Sequence, residues 1–335
     1  MSAAITKLNV VFGAMTIGKP GVEQTRVHDL QDAAALLDTF QVHGHREVDT
    51  ARVYGQGSSE AYLGDLDWRS RGLVMATKYY AYRGKVPGAT SSHSASDLRE
   101  HLLASLEALK AEQVDLWYLH APDRTTPYEE TFAAVDALHR EGLFRRFGLS
   151  NYMAWEVAHI NELCIRNGWV RPVVYQGVYN AIHRAVEPEL LTCLRRYGMA
   201  FYAYNPLAGG YLTARYRRGD EGKVEEGSRF DGKTKQGQLY RARYWNDTMF
   251  DALDIVRAAA GKFSLTEAEC ALRWMMHHSE LDAELGDAVI IGASSKKHLE
   301  ENLIDLEKGP LPEEVVQALD EAWAKTKGIV MNYFH

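Results

Sequence analysis

Short apolar segments alternate with longer amphipathic segments from one end of this 335-residue chain to the other. The apolar segments are rich in Val, Ile and Tyr, and several are apolar at nearly every position, which is typical of parallel strands buried on both faces. They span residues 8–12, 47–50, 73–77, 115–119, 147–149, 173–176, 200–204 and 288–291. The pattern therefore predicts eight buried, parallel strands.

Helical periodicity fills the intervals between the predicted strands. Apolar residues recur there at the spacing of one helix face, as at Leu98, Leu102, Leu106 and Leu109. Helical patterns of this kind cover residues 95–109, 128–141, 155–167, 189–197 and 297–306. Ser and Asp favour helix starts and Gly favours helix ends, so we expect caps at Ser96-Asp97, Gly142, Gly168 and Gly198.

Eight strand–helix units in succession predict an α/β fold, a single-domain (β/α)8 TIM barrel over residues 1–335. The alternative is a doubly wound open sheet, which usually carries a GxGxxG turn after its first strand. Residues 12–18, FGAMTIG, lack that spacing, so the barrel is favoured.

Two segments depart from the alternation. Residues 219–238 are rich in Gly, Lys and Glu and have no clear periodicity, so we predict a mobile lid loop there. Residues 313–335 predict one additional C-terminal helix over 313–327 and then a tail. Neither segment has the features of a linker or a second domain.

Composition and charge restrict the class of protein. The formal net charge of −7 argues against nucleic acid as a partner. No apolar run is long enough to span a membrane, and residues 1–7 are too short and too polar for a signal peptide, so we expect a cytoplasmic protein with no membrane partner. The cysteines form no CxxC pair, which favours buried, reduced thiols over disulfides or a metal site; they are Cys164, Cys193 and Cys270.

Polar residues follow nearly every predicted strand, and in a barrel the carboxyl ends of the strands meet at the face where active sites form. Asp49 ends the second strand, with Tyr54 in the next turn. Lys78 ends the third strand, and His120 follows the fourth. Each residue taken singly has a structural explanation, as packing, as a surface ion pair or as a hydrogen-bonded core histidine. Together they predict one polar pocket.

These four side chains suit the reduction of an aldehyde or ketone, in which the carbonyl oxygen takes a proton as hydride reaches the carbon. Tyr54 is the expected proton donor, although a phenol with an ordinary pKa of about 10 is a weak acid at neutral pH. The Lys78 ammonium is expected to lower that pKa, and Asp49 would hold the ammonium in place. His120 is expected to orient the carbonyl oxygen or to assist proton delivery.

Several motifs resemble those of the aldo-keto reductase family, in the family's order and over almost the whole chain. Residues 47–55, EVDTARVYG, resemble its DTAxxYG signature, and residues 114–120, VDLWYLH, resemble its fourth strand. Residues 147–152, FGLSNY, match its GxSN motif, and residues 290–303 match its cofactor-holding last strand and helix through IIGASS and ENL. The resemblance implies an enzyme in which Tyr54, Lys78, Asp49 and His120 are catalytic.

The resemblance narrows to the branch of aflatoxin-aldehyde and succinic-semialdehyde reductases. It is carried by residues 154–158 (AWEVA), 174–181 (VYQGVYNA), 201–210 (FYAYNPLAGG), 240–245 (YRARYW), 272–275 (LRWM) and 332–334 (NYF). The branch implies that Tyr240 and Arg243 contact substrate together with Tyr54 and His120. Its last residue is an arginine that also reaches substrate, and His335 stands there in this chain, so we expect a weaker grip on acidic substrates.

The resemblance also implies a nicotinamide cofactor held without a Rossmann fold. The nicotinamide would be surrounded by Met15, Asp49, Ser150, Asn151, Gln176 and Tyr204, of which Tyr204 would stack under the ring. The pyrophosphate would lie along Asn205, Pro206, Leu207, Gly209 and Gly210. The adenosine end would be surrounded by Gly292, Ser294, His298, Glu301 and Asn302.

The choice of NADPH over NADH depends on cations for the 2′-phosphate. The candidate cations are Arg215, Arg229, Lys296 and Lys297, although the two lysines have a second explanation as a solvated helix start. We therefore predict NADPH (NADP) as the cofactor and a small aldehyde or ketone as the substrate.

Two alternatives to an aldehyde reductase are open at this stage. One is a nicotinamide-binding regulatory subunit that resembles the channel-associated β subunits of the same family. The other is a barrel with an inactive site. The branch motifs favour the enzyme over the first alternative, and the intact four-residue set favours it over the second. The sequence allows a homodimer but does not decide the oligomeric state.

Overall fold

Eight parallel strands form a closed barrel, in sequence order, in the computed structural model, which describes residues 6–335. The strands are β1 (Asn9–Gly13), β2 (Glu47–Asp49), β3 (Val74–Tyr79), β4 (Val114–Leu119), β5 (Phe144–Ser150), β6 (Val174–Val178), β7 (Ala200–Tyr204) and β8 (Ala288–Ile291). Each strand pairs with the next, and β8 pairs with β1. The predicted (β/α)8 TIM barrel is confirmed, and the open sheet is excluded.

The strands form where the chain is apolar on both faces, because the outer face packs on helices and the inner face fills the barrel. The barrel interior is packed by Val11, Ala76, Leu116, Tyr118, Val174, Tyr202, Ala288 and Ile290. β5 begins three residues before the predicted start at residue 147. Arg146 interrupts the apolar run there, and its guanidinium binds Asp115 of β4 at 2.6 Å.

The helices are α1 (Leu30–Val42), α2 (Ser58–Asp65), α3 (Ala95–Ala108), α4 (Tyr128–Arg140), α5 (Ala154–Asn167), α6 (Leu190–Tyr197), α7 (Lys235–Tyr244), α8 (Asp247–Lys262), α9 (Glu267–His277), α10 (Lys296–Glu307) and α11 (Glu313–Thr326). The left-handed residues Gly168 and Gly198 end α5 and α6 as predicted, each with φ of 66°. The cap predicted for α3 was wrong: Ser94 is the N-cap, and its Oγ accepts from the Asp97 amide at 3.3 Å. Ser96 and Asp97 already belong to the first turn.

The segment over residues 219–238 is shorter than predicted, because α7 begins at Lys235. Residues 219–238 contact the loop after β1 through Arg26 and Glu23 of that loop. Arg26 pairs with Glu225 at 2.5 Å, and the Gln236 amide donates to Glu23 at 2.6 Å. The additional helix predicted after residue 312 is α11, which packs on α8.

Strand register determines which polar residues can meet. Asp49 is level with Ala76 of β3, Lys78 with Tyr118 of β4, and Ser150 with Gln176 of β6. The carboxyl ends of neighbouring strands therefore stand at one height around one opening.

Across residues 6–335, no helix is both long enough and apolar enough to cross a membrane. The prediction about a signal peptide concerned residues 1–7, the first five of which lie outside the described residues.

Candidate active site

A buried ion pair lies at the carboxyl ends of β2 and β3. Lys78 Nζ donates to Asp49 Oδ1 at 2.5 Å and to the Thr50 carbonyl at 2.7 Å. The Lys78 side chain has no exposed surface. Gln176 of β6 donates to the second carboxylate oxygen of Asp49 at 2.8 Å. The carboxylate therefore binds partners from two sides of the barrel, which fixes the ammonium in one place.

The loop that carries Tyr54 is fixed by a buried glutamate of α2. Glu60 accepts from Arg52 at 2.5 Å and from Thr77 of β3 at 2.6 Å. Gly57 lies against Arg52 with a φ of +90°, a backbone conformation that favours glycine, and a Cβ there would collide with the guanidinium. This network positions the Tyr54 hydroxyl 3.5 Å from Lys78 Nζ.

His120 completes the group. Its main-chain amide donates to the Tyr79 carbonyl at 2.8 Å, which extends the β3–β4 pairing by one residue. The imidazole stands at nearly a right angle to the Tyr54 ring, with 5.8 Å between the ring centroids. The structure therefore brings together all four residues of the predicted catalytic set.

Burial controls the protonation of this group. Burial, and then the Asp49 charge, raise the pKa of Tyr54, whereas the sequence analysis expected Lys78 to lower it. Burial is the larger cause of this upward shift in pKa, and the Asp49 charge adds to it. Burial also lowers the pKa of His120 well below its usual range, and the Lys78 charge lowers it further. Both Tyr54 and His120 are therefore uncharged near neutral pH.

Ser150, Asn151, Gln176 and Tyr204 line one side of the same opening. Asn151 Nδ2 donates to the His120 carbonyl at 2.8 Å, and its Oδ1 accepts from the Tyr204 hydroxyl at 3.1 Å. Asn151 adopts a left-handed conformation with φ of 65°, which asparagine tolerates better than most residues. These contacts fix the residues predicted to surround a nicotinamide.

The predicted substrate residues lie above this group. The Tyr240 hydroxyl donates to Asn205 Oδ1 at 3.1 Å, and the Arg243 guanidinium carbon stands 5.7 Å from the centre of the Tyr240 ring. Desolvation, followed by the charges of Arg243 and Lys85, lowers the pKa of His335 to about 4. His335 is therefore a neutral side chain beside the Arg243 cation near neutral pH.

A second group of predicted residues surrounds a cavity of about 360 Å³ near the start of α10. Arg215 Nη2 lies 2.7 Å from His298 Nε2, and Ser294 Oγ lies 3.0 Å from His298 Nδ1. A guanidinium only donates, so Nε2 accepts and Nδ1 carries the proton. The cavity is lined by Thr25, Arg26, His28, Arg215, Glu225, Ser294, Ser295 and His298.

Two more arginines, Arg229 and Arg26, lie in different parts of the site. Arg229, one of the candidate cations for the 2′-phosphate, does not line this cavity. It lies beside Asn205, with Nη1 3.4 Å from Oδ1, and near Gly292. Arg26 does line the cavity and was not predicted. Its loop between β1 and α1 has no periodicity, and Arg26 and His28 are single basic residues in it.

Other predicted cofactor residues do not reach the cavity wall. Lys296, Lys297 and Glu301 are exposed on α10, and Lys297 pairs with Glu301 at 3.8 Å. Asn302 is buried in the same helix. Gly209 packs directly under the Tyr240 ring. A Cβ at this position would collide with the ring, so the ring can lie there only because residue 209 is a glycine.

Comparison with known proteins places this chain in a family. The model of the Aldo/keto reductase family matches residues 9–324. The chain is 50% identical to Aldo-keto reductase pigE of Monascus ruber over 98% of both chains. It is 45% identical to human Aldo-keto reductase family 7 member A3 over 97% of this chain and 96% of the relative. It is also 45% identical to human Aflatoxin B1 aldehyde reductase member 2, over 97% and 89%.

The chain belongs to the aldo-keto reductase family and is an oxidoreductase of that class. The resemblance stated from the motifs is confirmed, and its narrower form agrees with the aflatoxin-aldehyde reductases among the relatives.

Proposed function

We propose that this protein reduces aldehydes with NADPH and that Tyr54 protonates the carbonyl oxygen. The observation that carries the proposal is the buried Asp49–Lys78 pair, with the Tyr54 hydroxyl 3.5 Å from Lys78 Nζ and the His120 ring beside it. Two relatives whose names describe them as aflatoxin B1 aldehyde reductases support an aldehyde as the substrate class.

Each of the four residues has a separate role in the proposed reaction. Tyr54 is neutral, so it brings a proton to the carbonyl oxygen, which becomes strongly basic as negative charge develops on it. The Lys78 ammonium stabilises the phenolate that remains. Asp49 holds Lys78 in place. His120 is neutral, so one ring nitrogen donates a hydrogen bond that orients the carbonyl oxygen.

Unpartnered buried polar atoms support a bound cofactor at this opening. Asn205 Nδ2, Arg243 Nε and the ring nitrogen His120 Nδ1 are buried without a partner among residues 6–335. Buried polar atoms are costly when unpaired, so these three favour a polar ligand at the opening. When bound, a nicotinamide cofactor would supply the hydride. Ser150, Asn151 and Gln176 would hold its carboxamide, and Arg229 with Asn205 would hold its pyrophosphate.

The preference for NADPH is proposed from the cavity near α10. Arg26 and Arg215 flank it; Arg26 already pairs with Glu225 of the cavity wall at 2.5 Å, so Arg215 with the Ser294 and Ser295 hydroxyls is the group that suits a phosphate dianion. The cytoplasmic location stays a prediction from the sequence, which also allows a homodimer.

The cofactor prediction is that Arg215→Gln raises the dissociation constant of NADPH about tenfold and leaves that of NADH within about twofold, because one charged contact to the 2′-phosphate is lost. Fluorescence titration measures both constants. Arg217→Gln is the matched control, since Arg217 is an exposed arginine of the same loop that does not line the cavity. Equal wild-type constants for the two cofactors would refute the preference.

The substrate class follows from Arg243, an arginine with a buried, unpartnered Nε beside aromatic rings at the mouth of the site. Arginine is well shaped to bind a carboxylate through two parallel hydrogen bonds. We therefore propose that aldehydes carrying a carboxylate are preferred over neutral ones of equal size. Because His335 is neutral, Arg243 would bind the carboxylate without a second cation from that position.

The substrate prediction is that Arg243→Ala costs about 1.5–3 kcal/mol in kcat/KM with 2-carboxybenzaldehyde and much less with benzaldehyde. Arg241→Ala is the control. Arg241 donates to the Phe230 and Glu221 carbonyls of the neighbouring segment, so its loss should affect both substrates equally. If Arg243→Ala also lowers both rates equally, Arg243 shapes the site and does not recognise the carboxylate.

A rate survey tests the proposed function as a whole. Initial rates with NADPH are compared for succinic semialdehyde, 2-carboxybenzaldehyde, 4-nitrobenzaldehyde, a quinone and a reducing sugar. Reduction of the carboxylated aldehydes at the highest kcat/KM supports the proposal. Absence of turnover with every compound, in a protein that binds NADPH, would favour the regulatory subunit.

A further inference from the structure

Arg124, in the loop between β4 and α4, has contacts that the reaction chemistry does not require. Its Nε and Nη2 donate to the two carboxylate oxygens of Glu156, at 2.8 and 3.1 Å. Its remaining terminal nitrogen, Nη1, donates to the main-chain oxygen of His335 at 2.8 Å. One guanidinium therefore joins the first turn of α5 to residues 331–335, which we call the tail.

Glu156 holds the Arg124 guanidinium in a fixed position. Its side chain is fully buried, and it also accepts from the Tyr128 hydroxyl at 2.6 Å and from the Met153 amide at 2.8 Å. A buried carboxylate that accepts four hydrogen bonds, two of them from one guanidinium, has little freedom to move. The position of Arg124 Nη1 is therefore determined by the fold and does not depend on the tail.

The tail crosses the loops that follow β4, β5 and β6. The His335 amide donates to the Asn151 carbonyl at 3.2 Å, and the Tyr333 hydroxyl accepts from the Ala154 amide at 3.1 Å. Farther back, His183 Nε2 lies 2.9 Å from the Met331 carbonyl. Two contacts of the tail involve charged side chains: Arg124 donates to the His335 main-chain oxygen at 2.8 Å, and the Tyr333 hydroxyl donates to the Glu189 carboxylate at 3.4 Å.

The contacts of the tail connect it with the candidate active site. Asn151, whose carbonyl binds the tail, uses its side chain to contact the His120 carbonyl and the Tyr204 hydroxyl. Arg124 itself stands four residues after His120. A shift of the tail would therefore move His335 and the main chain of Asn151 together.

We propose that Arg124 is a positioning residue that fastens the tail to the loop holding Asn151 and thereby sets the substrate-side wall of the site. Arg124 touches neither the four-residue catalytic group nor the cavity near α10. Its effect would pass through His335 and Asn151. The kinetic part of this proposal rests on the proposed function, whereas the contact between Arg124 and the tail does not.

The test compares wild type, Arg124→Gln, deletion of His335 and the double change. We expect Arg124→Gln to raise KM for 2-carboxybenzaldehyde about tenfold, with kcat and the NADPH dissociation constant within about twofold. In the chain lacking His335, the same substitution should change KM by less than about twofold, because the two changes remove one connection. If the two changes raise KM additively, the effect of Arg124 does not pass through His335, and the proposal is overturned.

Hydrogen exchange tests the contact between Arg124 and the tail independently of activity. Peptides covering residues 151–156 and 329–335 should exchange faster in Arg124→Gln than in wild type, because the Ala154 and His335 amides lose their partners. Unchanged exchange overturns the proposal, and so does faster exchange with an unchanged KM. An inactive wild type would instead refute the proposed function, and the exchange rates would still decide whether Arg124 holds the tail in place.

Two further variants complete the design. Arg99→Gln is the matched control, because Arg99 also pairs through two bonds with a glutamate, Glu141, but on the outer surface. It should leave both KM and exchange at wild-type values. Arg124→Lys keeps the charge against Glu156 but cannot donate in a planar fork to both partners, so a loss similar to that of Arg124→Gln is expected. It supplies the same measurements if the glutamine variant does not fold.

Discussion

Tyr54→Phe is expected to lower kcat by about 100- to 10,000-fold, the range associated with loss of a general acid. The substitution removes one hydroxyl and leaves the ring, so the packing against His120 and the Lys78–Asp49 pair are retained. Because burial and Asp49 raise the pKa of Tyr54, its hydroxyl holds a proton throughout the neutral range and delivers it only to a strongly basic oxygen. Steady-state rates and fluorescence titration with NADPH measure the two effects separately.

The NADPH dissociation constant of Tyr54→Phe should stay within about twofold of the wild-type value. The hydroxyl that is lost stabilises the transition state and does not contact the cofactor. Tyr197→Phe is the matched control, because its hydroxyl binds Glu162 on the outer surface. Turnover above about a tenth of the wild-type rate in Tyr54→Phe would assign the proton to another donor, since a general acid contributes far more than that.

Lys78→Met is expected to abolish turnover and to destabilise the fold by about 3–5 kcal/mol, because it leaves the Asp49 carboxylate buried without its ion-pair partner. That loss is a large fraction of the roughly 5–15 kcal/mol that stabilises a typical domain. Burial lowers the pKa of Lys78, and the neighbouring carboxylate opposes that shift. Urea unfolding at constant pH measures the stability, and initial rates measure the turnover.

The double variant Lys78→Met with Asp49→Asn separates the two effects of Lys78. Removing the unpaired charge should restore much of the lost stability, because an amide costs far less to bury than a carboxylate. Activity should not return, because the phenolate of Tyr54 still lacks a neighbouring cation. Recovery of both stability and turnover would show that Lys78 has only a structural role.

The strand ends could be predicted from the sequence because two simple rules act there. Apolar runs fix where strands lie, and a closed parallel barrel puts all their carboxyl ends on one face. Asp49, Lys78 and His120 follow directly from these rules, and their contacts in the structure agree with them. Tyr54 lies only five residues beyond Asp49, so its position was constrained as well.

Loop residues could not be placed in the same way, because a loop has no periodicity from which to infer its path. Arg229 and Arg215 are 14 residues apart in one connection, as counted along the chain, yet they face different parts of the site. Arg26 comes from a different connection and meets Glu225 across almost 200 residues. Such pairings depend on how two loops fold over the barrel, which local sequence does not encode.

The pKa of Tyr54 was mispredicted for a related reason. The sequence supplies the neighbours of a group, and Lys78 was correctly expected nearby. It does not show how deeply a group is buried. Burial is the largest cause of the raised pKa of Tyr54, and the Asp49 charge raises that pKa further. The sign of the shift therefore depended on the packed structure.

The pairing of β1 with β8 has a consequence for biosynthesis. Residues 9–12 find their partners only at residues 288–291, so the barrel cannot close until most of the chain has been translated. At about 5–20 residues per second, the nascent chain spends tens of seconds with the free edge of β1 unpaired, a state prone to misassociation. Residues 331–335 leave the ribosome later still. The contacts of the tail that we propose to set the substrate-side wall therefore form after the strand ends carrying Asp49, Lys78 and His120 have emerged.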